Sequence, residues 1–142
     1  MRTFNFFAIT FAGVFACNAW YACNSAAGNE AIPNAVSYNF HIRPILSDKC
    51  FKCHGPDKNQ LKAGLRLDNA ESAYAPLQET KGAFAIVPGQ PEASELMKRI
   101  TSKDPDYQMP TPESHLGTLT DREIRMLEKW IAQGAVYEKH WA

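Results

Sequence analysis

A small all-α domain is what this sequence predicts, and three observations carry that prediction. Apolar residues recur at helical i, i+3, i+4 spacing at Ile42, Ile45 and Leu46, at Leu96, Met97 and Ile100, and at Ile124, Leu127 and Ile131. Helix-start signals accompany them: Pro44 and Pro91 suit early helical positions, and Thr120-Asp121-Arg122-Glu123 fits a capping box. Strand signals are almost absent, because only Lys62-Ala63-Gly64-Leu65-Arg66-Leu67-Asp68 alternates apolar and polar residues, and only briefly.

Taken in order, residues 24–37 are small, polar and without period, which predicts a linker. The first helix starts near Phe40, carries Ile42, Ile45 and Leu46 on one face, runs through Lys49-Cys50 and is stopped by Gly55-Pro56. From 57 to 90 no long periodic run occurs. Lys62–Asp68 reads as an extended, turn-like segment and 69–77 as the place for a short helix. Pro88-Gly89-Gln90-Pro91 is punctuation, and Pro91 opens a second helix to about Ile100. A proline-rich loop, 104–112, leads to the last helix, whose apolar stripe is Ile124, Leu127 and Ile131 with Trp130 on its flank. Gly134 ends it as a left-handed cap.

The chemistry is concentrated in Cys50-Phe51-Lys52-Cys53-His54, which has the spacing of a c-type haem attachment site. On one helical turn the two sulfurs can add to the two vinyl groups on one edge of a porphyrin, and the following imidazole is turned towards the iron as proximal ligand. A pair of thiols has plainer uses. Zinc needs four ligands, and behind residue 23 there is no second thiol pair and no paired histidine spacing. A redox dithiol expects a strand before it rather than a helix. A disulfide closing so short a loop gains little chain entropy. Phe51 and Lys52 call for no special role, the first packing on ring or core and the second solvated.

For the sixth coordination position Met109 is the favoured donor, lying downstream in a proline-stiffened loop. Its serious competitor is His115, in the same region. Met97 and Met126 fall inside expected helices, where methionine is core filler more often than ligand. His41 and His140 read as surface or interface histidines. An open distal side would instead suit a haem enzyme or a gas-binding sensor. Phe84, Tyr107 and Tyr137 are open between packing on a ring and filling the core.

Residues 1–23 read as an export signal: Arg2 is the only charge before Glu30, and an apolar run extends from Phe4 to Ala16. Ala16-Cys17 and Ala22-Cys23 each resemble a bacterial lipoprotein cleavage box, with Cys23 preferred because the polar stretch behind it reads as a tether. A plain cleaved signal and an uncleaved anchor helix are the alternatives, and all three place the remainder outside the cytoplasm. Removing residues 1–23 leaves 119 residues with 14 Lys and Arg against 15 Asp and Glu, a net charge of −1. That is enough chain for one domain, residues 38–142, and too balanced a charge to bind nucleic acid.

The run from Phe40 to Asp57, FHIRPILSDKCFKCHGPD, closely resembles the planctomycete-type cytochrome c domain. Further matches follow in order: Gly64-Leu65-Arg66-Leu67-Asp68, Ala85-Ile86-Val87-Pro88-Gly89, Ser94-Glu95-Leu96, Met109-Pro110 and Trp130–Ala135. The resemblance covers about residues 38–141. It implies a class I-like, cytochrome c-like helical fold around one covalently bound haem c, held by Cys50 and Cys53, with His54 as proximal ligand and Met109 as distal ligand. It further implies one-electron transfer rather than independent catalysis. The partners would be exported redox proteins or a domain fused downstream, since such domains commonly precede larger ones and Glu138–Ala142 looks like the point where longer chains run on.

Overall fold

In the computed structural model residues 31–139 are described; the lipidation candidates Cys17 and Cys23 and the histidine at position 140 lie outside them. The described chain is helical and contains no strand. Phe84 alone makes bridge contacts, antiparallel to Pro76 and parallel to Ser94.

Helical winding begins at Tyr38, two residues earlier than the sequence suggests, as a π-helical turn, Tyr38–Ile42. The reason is a borrowed cap. The Glu138 carboxylate accepts hydrogen bonds from the backbone N–H of Tyr38 (3.0 Å) and Asn39 (3.2 Å), and the Ser37 hydroxyl oxygen accepts from Phe40 N–H. These satisfy donors that a helix start leaves without partners. α1, Arg43–Lys49, follows with Pro44 in its first turn. Cys50 leaves helical geometry (φ −127°, ψ −37°), and α2, Phe51–His54, resumes beyond it. Hydrogen bonds from Cys50 N–H to Leu46 O and from His54 N–H to Cys50 O, both 2.8 Å, carry the chain across the break. The single expected helix is therefore three segments on one course.

α3 is shorter than the 69–77 window: it spans Ala70–Ala73, capped by the Asn69 side chain, which accepts from Ser72 N–H at 2.9 Å. The second expected helix is also divided. Pro91–Ala93 form a 3₁₀ turn, Ser94 is extended, and α4 spans Glu95–Thr101. Ser94 is fully buried, and its hydroxyl accepts from Val87 N–H and donates to Gln90 O, both at 2.9 Å. That hydroxyl belongs to the preceding turn, which is why the residue does not wind into the helix.

α5, Asp121–Ala132, has the expected capping box: Thr120 N–H donates to the Glu123 carboxylate (2.7 Å) and Glu123 N–H to the Thr120 hydroxyl (3.3 Å). At its other end Gly134 (φ +100°) allows a Schellman closure, with Gly134 N–H on Ile131 O and Ala135 N–H on Trp130 O, both 2.9 Å. The buried face is turned from the expected stripe. Met126, Leu127, Trp130 and Ile131 are inside, while Ile124 lies at the edge. This face packs against the Tyr38–Ile42 turn and α4, meeting Ile42, Leu46, Leu96 and Ile100 in one core. The Trp130 ring centroid stands 5.7 Å from Tyr38 and 5.2 Å from Tyr137, and its N–H donates to Val136 O, so the largest core side chain leaves no polar atom stranded.

Candidate haem site

The thiol-bearing turn is finished by a loop folded back on it. Lys62 N–H donates to Cys53 O (2.9 Å) and Leu67 N–H to His54 O (2.8 Å), so two carbonyls at the end of α2 find partners there. Between those bonds the short alternation is resolved by side. Leu65 and Leu67 line a cavity, while Arg66 forks onto the Asp68 carboxylate at 2.9 and 2.5 Å. Gly55, immediately after His54, is buried and sits so close to Phe51 that a Cβ there would lie 2.3 Å from the Phe51 carbonyl oxygen.

The cavity has a volume of about 570 Å³, within the range of small-molecule and cofactor sites, about 300–1,000 Å³. Cys50, Cys53 and His54 border it from the α1–α2 run, and Met109 borders it from the proline-rich loop. The remaining wall mixes aliphatic side chains, among them Leu77, Leu96, Ile100 and Leu116, with polar and charged ones such as Lys62, Glu79, Glu95 and Arg99. The Met109 loop is pinned to α4, since Met109 N–H donates to Arg99 O at 3.1 Å. The peptide bond between Met109 and Pro110 is cis.

Electrostatics separate a haem site from the plainer uses of two thiols. Cys50 and Cys53 are unpaired, and burial pushes the Cys50 thiol up to about 12, with Asp48 adding to the effect. A redox-active dithiol needs the opposite, a thiol with a depressed pKa. Among the described residues no group of three His, Cys, Asp or Glu side chains is placed to hold a metal ion. His54 is held below its ordinary pKa chiefly by burial, against the pull of the Leu65 and Lys62 backbone. The neutral imidazole so favoured is the form that donates to a metal. Its Nδ1 is buried without a hydrogen-bond partner. A buried imidazole favoured in its neutral form, two unpaired thiols and a cavity between them with several aliphatic walls fit a covalently held porphyrin.

All four residues singled out from the sequence thus border one cavity. The described rivals for the sixth position do not. Met97 and Met126 are buried in the core, and His115 is an exposed residue with φ +58° that does not line the cavity. His41 accepts from Ser37 N–H through Nδ1 at 2.9 Å, away from the cavity wall. Phe84, Tyr107 and Tyr137 are also absent from the wall, and Phe51 packs on the core. Lys52 is not merely solvated: its ammonium donates to Ser114 O (3.2 Å), as Lys49 does to Leu116 O (3.0 Å), tying the thiol-bearing run to the loop after Met109.

Sequence reasoning missed Glu95 and Arg99. Both border the cavity, and Glu95 is only 5% exposed. Their i, i+4 spacing was a visible signal, but such pairs are usually solvated surface ornaments.

No curated protein and no solved structure matches the chain. Residues 50–113 match the family model described as planctomycete cytochrome C, a stretch that starts at the first thiol and ends beyond Met109. Together with the strandless helical fold of the described residues, that match over 64 of the 142 residues supports a planctomycete-type cytochrome c domain, the domain of a c-type haem protein.

Proposed function

We propose that this domain is a one-electron transfer module working outside the cytoplasm, with one haem c attached through Cys50 and Cys53 and with His54 and Met109 as axial ligands. The observation that carries the reading is that these four side chains border a single cavity, while every described rival for the sixth position lies elsewhere. Bound haem supplies the couple between ferrous and ferric iron. The chain's own residues do the rest. His54 is kept neutral by burial and so keeps a lone pair available. Met109 offers a thioether, a weaker donor to ferric iron than imidazole, which favours a higher reduction potential. Leu65, Leu67, Leu96 and Ile100 on the cavity wall would shield part of a bound haem from water. Export rests on the signal-like residues 1–23, and the partners are other exported redox proteins or a domain fused to this one.

The test uses protein matured in a host that attaches haem c. Haem staining on a denaturing gel should be lost when Cys50 and Cys53 are both replaced by serine. Met109→Ala should lower the reduction potential and create a carbon monoxide site in the ferrous protein that the parent lacks. If the parent itself binds carbon monoxide readily and Met109→Ala changes nothing, the distal assignment fails and an open-site haem enzyme or sensor takes its place.

A further inference from the structure

Glu95 presents a chemical problem that its place on α4 does not explain. A carboxylate this deeply buried must have compensating partners, because removing one from water costs several kcal/mol. A plain i, i+4 helix pair with Arg99 would be satisfied facing solvent. Here Arg99 Nε does reach Glu95 Oε1 at 3.2 Å, yet the shortest bond comes from outside the helix: the Tyr107 hydroxyl donates to the same oxygen at 2.6 Å. Lys98 stands farther off, at 3.8 Å. The circuit closes twice more. The Arg99 guanidinium lies 4.5 Å above the centre of the Tyr107 ring, and the Arg99 carbonyl accepts from Met109 N–H at 3.1 Å. Carboxylate, guanidinium and phenol thus hold the chain two residues ahead of Met109 against the wall of the cavity.

We propose that Glu95 and Tyr107 form a latch on the Met109 loop, and that this latch sets how often the distal position opens. The inference rests on the reading of Met109 as an axial ligand. Both are positioning residues, acting through the loop that carries the thioether. A second tie, from Lys52 to Ser114 O on the far side of Met109, is exposed and correspondingly weak. An external ligand reaches six-coordinate iron only after the thioether has left, so its binding rate reports the open population.

The experiment mixes potassium cyanide with the ferric, haem-loaded full chain and follows binding by stopped flow. Tyr107→Phe keeps the ring beneath Arg99 and removes only the hydroxyl; Glu95→Gln keeps the volume and removes the charge. Each should speed cyanide binding roughly 10- to 100-fold, the loss expected for one hydrogen bond to a charged group. The charge-transfer band between thioether and ferric iron should weaken and the reduction potential should fall, neither of which a change in global stability produces. Lys52→Ala should leave the rate nearly unchanged. The double variant should gain less than the two single effects combined, because Glu95→Gln weakens the bond that Tyr107→Phe removes. Parental rates in both single variants, or additive effects in the double, overturn the latch. Should Glu95→Gln fail to fold, Tyr107→Phe alone decides. Met109→Ala separates the two readings: if it is fast while Tyr107→Phe is not, the latch alone falls, and if it matches the parent, the axial assignment falls with it.

Discussion

Replacing Gly55 by alanine tests whether the residue after the proximal histidine is glycine for reasons of space. Its backbone, at φ −113° and ψ −162°, is open to any residue, so no conformational penalty attaches to a side chain as such. The obstacle is steric. A Cβ would stand 2.3 Å from Phe51 O, 2.8 Å from Phe51 Cβ and 2.9 Å from Phe51 Cα. An unstrained carbon–oxygen contact lies at about 3.3–3.6 Å, so about 1 Å of movement is required. Neither side moves freely, because Phe51 belongs to α2 and position 55 is bonded to His54. Overpacking of this kind costs about 1–3 kcal/mol. For a domain of this size each kcal/mol lowers the melting temperature by about 4–8 °C. Displacement of His54 should also disturb the haem absorption spectrum. Gly82→Ala is the control: it has φ +78° and open space, so it loses about 1 kcal/mol to backbone strain with no change in spectrum. Thermal melts and spectra of the holoprotein decide. If Gly55→Ala melts with the parent and keeps its spectrum, the steric argument is wrong.

Two further outcomes are expected. Burial alone would raise the Glu138 pKa, but its bonds with Ser37, Asn39 and Tyr38, helped by His41, outweigh that and hold it below the ordinary carboxylate value. A depressed folded-state pKa stabilises above the unfolded value, about 4.3, and that support fades as pH falls through the folded one. Glu138→Gln should therefore flatten the acid limb of the stability–pH curve, and an unaltered limb in acid titrations monitored by circular dichroism would count against the cap. Thr120→Ala removes one half of the α5 capping box and should cost about 1 kcal/mol in chemical denaturation, with the haem spectrum unaffected.

Legibility in the sequence followed the range of the interaction. Thr120 with Glu123, Gly134 and the Cys50–His54 run are encoded within a few residues, and each is found in the structure where local chemistry puts it. Met109 sits in a loop that proline spacing marks as stiff, and the structure puts that loop on the cavity wall. What escaped notice depends on residues distant along the chain. Ser94 breaks the second helix because its hydroxyl is claimed by Val87 and Gln90, and the first turn begins at Tyr38 because a carboxylate 100 positions away caps it. Glu95 is buried with Tyr107, twelve residues on, folded over its carboxylate, a contact that no local pattern encodes. Trp130 reads as a flank on a helical wheel, yet Tyr38 and Tyr137 draw it into the centre of the buried face.

The Glu138 cap belongs to a broader seam, in which the Gln133 amide joins Val36 N–H and Asn34 O and the Lys139 carbonyl accepts from the Asn39 amide. Both ends of the described chain therefore emerge side by side, at a spot that does not include the cavity wall. A short peptide bridging them, with new ends cut in an exposed turn, should yield a circular permutant that still binds its pigment. The same geometry lets the unit hang as a pendant from a longer polypeptide, joined at a single point, without its host threading past the metal.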